Sequence, residues 1–155
     1  MSIVLPKLKL YLDCCCLNRP FDDMSDEKVR LESEAVLSII GQCELGRWDL
    51  FQSDVLDDEI DRIVHPIKKQ QVLELYSLAT LFVELNDDVI LRAKDFFYLK
   101  LGSFDALHLA SAEFAGADVI LTTDKKFINK ALLTDVKIKI SNPAIWLMEV
   151  LYNDI

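Results

Sequence analysis

Residues 102–127, G-S-F-D-A-L-H-L-A-S-A-E-F-A-G-A-D-V-I-L-T-T-D-K-K-F, decide how the rest of this chain is interpreted. Residues 105–115 are apolar on nearly every side, which predicts a buried helix capped by Ser103, with Asp105 in its first turn. Residues 119–121 predict a short buried strand that ends just before Asp124. Parallel sheets bind ligands at the carboxyl ends of their strands, so both carboxylates are expected to face a crevice there. The alternative is that Asp105 merely starts a helix and that Asp124 lies in an ordinary turn.

Length and composition predict one folded domain over residues 1–155. The chain has 155 residues, of which 52% are hydrophobic and 28% are charged, as in ordinary folded proteins. No apolar run approaches the roughly 18 residues that a membrane helix needs, and the first residues lack a signal-peptide cleavage site. We therefore expect a cytoplasmic protein without membrane association.

Charge and cysteine content narrow the functional classes further. A net charge of −9 argues against a sequence-independent nucleic-acid binder but is compatible with a cation site built from carboxylates. The four cysteines include three in succession at residues 14–16 and form no C-x-x-C pair. Buried reduced thiols are therefore favoured over a zinc site.

Alternating strand and helix patterns predict an α/β fold. Strands that alternate with helices favour a three-layer α/β/α sandwich around a central, mostly parallel sheet. The predicted strands cover residues 8–12, 49–52, 81–85, 119–121 and 136–140, and residues 14–23 are expected to form a loop. The predicted helices cover residues 25–45, 54–64, 67–79, 87–101, 105–115 and 125–133, with a last helix that begins at Pro143.

The helix at residues 54–64 carries a third acid of interest. Ser53 is predicted to cap this helix, which ends before Pro66. Glu59 lies at the edge of its apolar stripe, so the carboxylate is expected to face the rim of the sheet, with a solvated surface glutamate as the alternative. The stripe consists of Leu56, Ile60, Ile63 and Val64.

Four acids are thus expected to converge. Asp13 and Asp124 end two strands, whereas Glu59 and Asp105 stand on helices that begin near the same rim. Carboxylates this close repel one another unless cations neutralise them, and Mg²⁺ or Mn²⁺ prefers such oxygen ligands. One or two ions about 4 Å apart support hydrolysis of a phosphodiester. The basic side chains expected to meet phosphates nearby are Lys125, Lys126, Arg19 and Arg62.

Four segments that contain these acids resemble a known family. L-Y-L-D, S-D-V-L-D-D-E, D-A-L-H-L-A-S-A and L-T-T-D-K-K-F are similar, in order and spacing, to the acidic motifs of PIN-domain nucleases, over essentially the whole chain. The resemblance implies that Asp13, Glu59, Asp105 and Asp124 hold the catalytic metal and that Thr122 supports them. It also implies an Mg²⁺-dependent endoribonuclease of the VapC toxin type, often dimeric and silenced by an antitoxin protein.

One departure from the family pattern keeps a second function open. Cys14 and Cys15 stand where many members have Thr or Ser and then Asn, and Asn18 comes too late to replace that Asn. A catalytically weak PIN-fold module that binds RNA or a protein partner is therefore the alternative. A receiver-like or phosphatase enzyme with Asp13 as nucleophile is disfavoured because no D-x-D-x-T pattern is present. His108 is expected to be a neutral, helix-packed histidine rather than a ligand or general base.

Overall fold

A five-stranded parallel sheet forms the centre of the protein. The structure, a computed structural model, describes residues 7–153. Within them the strands are β1 (Lys9–Leu12), β2 (Asp49–Ser53), β3 (Leu81–Val83), β4 (Val119–Leu121) and β5 (Lys139–Ser141). The helices are α1 (Cys14–Asn18), α2 (Glu27–Glu44), α3 (Asp54–Asp61), α4 (Pro66–Tyr76), α5 (Asp87–Tyr98), α6 (Ser103–Phe114), α7 (Lys125–Ala131) and α8 (Pro143–Asn153), and Arg19–Phe21 forms a 3-10 turn.

The strand order places a crevice beside β1. The order is β3-β2-β1-β4-β5, and every adjacent pair is parallel. The chain therefore leaves β1 toward β2 on one side and returns as β4 on the other, which creates a topological switch point between β1 and β4. Leu10, Tyr11 and Leu12 are all buried, so both faces of β1 are covered. The predicted α/β sandwich is confirmed, and its sheet is parallel throughout.

The segment after β1 was predicted wrongly. Residues 14–23 are not a loop, because α1 and the 3-10 turn occupy residues 14–21. The Asp13 side chain accepts a hydrogen bond from the backbone N–H of Cys14 at 2.7 Å and so caps α1. Pro20 lies in the first positions of the 3-10 turn, where its fixed φ is favourable. The cap of α1 is therefore the same residue that was predicted to be an acid of the site.

Two helix ends also differ from their predictions. Gly102, not Ser103, is the cap residue of α6, and no side chain there bonds to the helix. The helix that carries Glu59 ends at Asp61, so Val64 is 94% exposed instead of belonging to the apolar stripe. The chain has to become extended at His65, since this residue precedes Pro66 and caps α4.

The cap predicted at Ser53 is confirmed. The Ser53 hydroxyl accepts from the backbone N–H of Leu56 at 2.9 Å, and Asn142 caps α8 through Ala144 at 2.8 Å. Gly46, at the end of α2, has a φ of +76°, which glycine adopts without strain. All four cysteines are free thiols. No helix among residues 7–153 combines the length and apolarity needed to cross a membrane.

Candidate metal centre

The acids gather at the carboxyl ends of β1 and β4. Leu12 and Leu121 are paired at the ends of these strands, so the residues that follow each strand emerge side by side. The backbone N–H of Asp13 donates to the carbonyl of Leu121 at 2.9 Å, which holds the two strand ends together. α3, which follows β2, contributes Glu59 from the neighbouring position in the sheet. This edge corresponds to the switch point of the topology.

Asp13 is nearly buried and accepts hydrogen bonds only from neutral donors. Its side chain Oδ1 accepts from Cys14 N, while Oδ2 accepts from the Thr122 hydroxyl at 2.9 Å and from the Cys15 thiol at 3.4 Å. Asp13 is 5% exposed. Neutral donors orient a carboxylate without compensating its charge, and the basic group beside it, the His108 imidazole at 3.6 Å, is shared with Glu59. Asp13 is therefore suited to a cationic ligand.

The cysteine that replaces the usual polar residue still contacts the site. In addition to Asp13, the Cys15 sulfur contacts the Thr122 hydroxyl at 3.2 Å and accepts from the backbone N–H of Thr123 at 3.3 Å. The thiol thus retains a hydrogen bond to the carboxylate, although a thiol is a weaker donor than a hydroxyl or an amide. Asn18 instead donates to the carbonyl of Cys14, at the end of α1.

His108 joins the acids, contrary to the prediction that it serves in helix packing alone. Its Nε2 lies 2.9 Å from Oε1 of Glu59 and 3.6 Å from Oδ1 of Asp13, and the imidazole is fully buried. Burial by itself lowers the pKa of His108, but the bond to Glu59 and the charges of Asp13 and Asp105 raise it overall. The opposite nitrogen, Nδ1, is hydrogen-bonded to the Tyr11 hydroxyl at 2.6 Å.

Asp105 lies in the electrostatic field of the other acids. Burial raises its pKa to about 6, with further contributions from the charges of Asp13, Asp124 and Glu59 and an opposing effect of His108. Its position in the first turn of α6 agrees with the sequence prediction. Burial is the larger cause of this rise, and the part that comes from the neighbouring carboxylates is the repulsion expected at one rim.

Thr122 links Asp13 to Asp124. The fully buried Thr122 hydroxyl donates to Asp13 and accepts from the backbone N–H of Asp124 at 3.1 Å. Asp124 is exposed, and its Oδ1 accepts from Lys126 N at 2.9 Å, so it caps α7. The alternative that Asp124 starts a helix is therefore confirmed, and its role as an acid of the site stays a prediction.

The donor set fits a divalent cation. Asp13, Glu59 and His108 each offer one ligand atom, and these atoms lie within 4.8 Å of one another. Ligands about 2.1 Å from an octahedral ion stand roughly 3 Å from each other, comparable to the distances found around Nε2. Asp105 and Asp124 border the same rim but are not part of this group of three. A divalent cation would be held by Asp13, Glu59 and His108.

The basic residues predicted to meet phosphates lie in different environments. Lys125 and Lys126 are exposed and follow Asp124 directly. Arg19 is engaged elsewhere, with its guanidinium 2.8 Å from Glu32 and 3.1 Å from Asp22. Lys125 and Lys126 are therefore better placed than Arg19 to meet a phosphate, and Arg62 pairs with Asp58 at 3.2 Å. The phosphate contacts of all four residues stay predictions.

The sequence contained a signal for His108. It lies three residues after Asp105, so the two side chains project from the same face of α6. A histidine at this spacing from a site acid is expected to reach the same crevice. Full burial and proximity to the acids are compatible here, so a histidine packed in a helix can also belong to the site.

Comparisons with known proteins agree with this architecture. The family model described as PIN domain matches residues 11–133. The crystal structure of DNA-bound VapBC from Salmonella typhimurium has a TM-score of 0.61 at 14% identity, covering 88% of this chain and 98% of that chain. PAE2754 from Pyrobaculum aerophilum has a TM-score of 0.54 at 15% identity, covering 94% and 91% respectively. No curated protein gives a significant sequence match. At such identities the two structures establish a shared fold.

Proposed function

Because this chain belongs to the PIN domain family, we propose that it is a metal-dependent endoribonuclease that hydrolyses RNA phosphodiester bonds with Mg²⁺ or Mn²⁺. The observation that carries the proposal is the group of ligand atoms that the buried Asp13 forms with Glu59 and His108, all within 4.8 Å of one another, with Asp105 close enough for its pKa to respond to their charges. Three carboxylates around a single imidazole carry an excess of negative charge, which favours a cation from solution. We further propose that residues 1–155 act as one domain.

The chain's own residues have separable roles in this reaction. A divalent ion, when bound, supplies Lewis acidity for in-line attack on the phosphodiester. Asp13, Glu59 and Asp124 hold the ion, and Thr122 orients Asp13 through its 2.9 Å hydrogen bond. Asp105, whose pKa is raised to about 6 chiefly by burial, is proposed to hold the ion with them, since a cation offsets its charge. Lys125 is proposed to contact the RNA backbone.

Cleavage of single-stranded RNA tests the proposal. We expect cleavage with Mg²⁺ or Mn²⁺, none in excess chelator, and none with Asp13→Asn or Asp105→Asn. Asp118→Asn is the matched control. Asp118 precedes β4, and its carboxylate accepts from the backbone N–H of Lys9 at the amino ends of the strands, opposite the candidate site. Full activity in the Asp13 and Asp105 variants would remove the mechanism.

A partner protein is proposed from the similarity to VapBC. We propose that the chain is the toxin of a toxin–antitoxin pair, acts as a cytoplasmic homodimer, and is silenced by an antitoxin. A short reading frame that encodes a DNA-binding protein beside this gene, whose product co-purifies with the chain and blocks cleavage, is the expected result. An isolated gene whose expression is harmless would argue against a toxin.

A catalytically weak binding module is the second candidate. The observation in its favour is that Cys15 contacts Asp13 through a thiol at 3.4 Å, a long and weak hydrogen bond. Calorimetric titration with Mn²⁺ separates the two candidates. Absence of both binding heat and thermal stabilisation would favour the binding module.

A further inference from the structure

We propose that His108 is itself a metal ligand through Nε2, and that this nitrogen makes the centre select first-row transition ions such as Mn²⁺ and Co²⁺ over Mg²⁺. The inference rests on the proposed function, since it assumes that the centre binds a metal. It goes further by adding a nitrogen to a ligand set that the sequence predicted as four carboxylates.

The position of the imidazole carries the first step. Nε2 is aimed at the two carboxylates nearest the sheet, at 2.9 Å from Glu59 and 3.6 Å from Asp13. The ring is fully buried, so Nε2 has no access to bulk water as an alternative partner. These two oxygen atoms and the nitrogen all lie within 4.8 Å of one another, and together they are the proposed ligands of one ion.

The opposite side of the ring fixes which nitrogen faces the metal. Nδ1 is 2.6 Å from the Tyr11 hydroxyl, and that hydroxyl is 2.7 Å from the Ser53 hydroxyl. Metal-ligating histidines characteristically donate their other N–H to such a partner, which sets the tautomer and the ring orientation. Metal binding selects the tautomer with the proton on Nδ1, which donates to Tyr11 while Tyr11 donates to Ser53. The Nε2 atom, which is hydrogen-bonded to Glu59 without metal, then faces the ion with its lone pair. Phe104 stacks on the imidazole at 6.2 Å and further restricts its rotation.

Ligand chemistry then determines the preference for one ion over another. Mg²⁺ is a hard ion that strongly prefers oxygen and retains its waters, so replacing an oxygen by imidazole nitrogen weakens its binding. Divalent first-row transition ions accept imidazole, with affinity rising from Mn²⁺ toward Co²⁺. The centre is therefore expected to bind Co²⁺ most tightly of the three ions, then Mn²⁺, and Mg²⁺ least tightly.

Spectroscopy of the metal-loaded protein tests the nitrogen ligand without an activity assay. Metal-free, untagged protein is titrated with Mn²⁺ and examined by pulsed electron paramagnetic resonance for ¹⁴N coupling to the ion. Mn²⁺, Co²⁺ and Mg²⁺ affinities are measured by calorimetry and by competition. The variants are His108→Gln, which replaces the nitrogen by an amide group, and His65→Gln as control. The chain has only two histidines, and His65 lies exposed at the start of α4.

The expected result is ¹⁴N coupling in the native protein and in His65→Gln, and its loss in His108→Gln. In His108→Gln the preference for Mn²⁺ over Mg²⁺ should fall at least about tenfold. Coupling that persists in His65→Gln identifies His108 even if the buried His108→Gln variant fails to fold. Bound Mn²⁺ with oxygen ligands alone would overturn this inference and leave the proposed function standing. Absence of binding of any divalent ion would overturn both.

Discussion

Two buried carboxylates in this protein, Glu32 and Asp13, have different kinds of hydrogen-bond donors around them. Glu32, on α2, is 1% exposed and accepts hydrogen bonds from Arg19 Nε at 2.9 Å and from Asn142 at 2.5 Å. Asp13 is 5% exposed and accepts only from the neutral groups of Cys14, Cys15 and Thr122. Glu32 is therefore paired with a guanidinium, whereas the basic group beside Asp13 is the His108 imidazole, 3.6 Å away and shared with Glu59.

The difference separates structural acids from functional ones. A buried carboxylate paired with arginine needs no further ligand, and its role is to hold α1, the 3-10 turn and α2 together. A buried carboxylate that has only neutral donors, with other acids beside it, retains a charge that a cation can neutralise. Burial alone does not distinguish these two cases, whereas the identity of the donors does.

The largest expected effect is on stability, at the paired acid. Glu32→Gln leaves Arg19 largely buried without its main counter-charge, which should lower the free energy of unfolding by about 3 kcal/mol. For a domain of this size the melting temperature would fall by about 9 °C. Thermal and urea unfolding measure the change. A variant that is as stable as the native protein would show that the Arg19–Glu32 pair is not structural.

The second effect is stabilisation by metal, at the unpaired acid. Mn²⁺ at about one hundred times its dissociation constant should stabilise the native protein by about 2.7 kcal/mol. Asp13→Asn should lose this gain, yet melt no lower than the native protein without metal, because one repelling charge is gone. Glu32→Gln is the matched control and should keep the gain, from a lower starting point. Equal metal stabilisation of Asp13→Asn and the native protein would contradict the comparison.

Features that depend on local sequence patterns could be predicted, whereas features that depend on contacts between distant elements could not. The alternation of strands and helices, Ser53 as a cap and the positions of Asp13 and Asp124 after strands depend on local patterns, and these were predicted correctly. The partner of Arg19 could not be inferred, because Glu32 lies on another helix and only the folded chain brings them together. Pairing across elements decides which charges remain available for a ligand.

The helix after β1 and the role of His108 show two further limits. The run Cys14–Asn18 has no helical period long enough to recognise, so its helix depends on capping by Asp13, a residue considered only as a ligand. His108 was predicted to pack in a helix because histidines often do, although its spacing from Asp105 places both side chains on the same face of α6. A residue can both stabilise local structure and belong to the site, so assigning it only one of these roles misses the other.

A smaller effect is expected at the residue that orients Asp13. Thr122→Val removes the hydroxyl that bonds to both Asp13 and the backbone of Asp124, and should lower Mn²⁺ affinity about tenfold. Calorimetric titration measures this change. Thr123→Val is the adjacent control, since Thr123 reaches the site only through its backbone N–H, which the substitution keeps. Equal losses in both variants would show that the Thr122 hydroxyl has no specific role.

The smallest effect is expected at the proposed RNA contact, and it separates binding from metal chemistry. Lys125 is exposed beside Asp124, so Lys125→Ala should weaken RNA binding about threefold and reduce the salt dependence by about one charge. Lys139→Ala is the control, because Lys139 pairs with Glu149 and lies at the amino end of β5, away from the strand ends that hold the acids. Binding is measured on Asp13→Asn protein, which is expected not to cleave the RNA, over a range of salt concentrations. If both lysine variants lose affinity equally, the acidic protein attracts RNA through diffuse charge, and the edge that holds the acids has no privileged role in binding it.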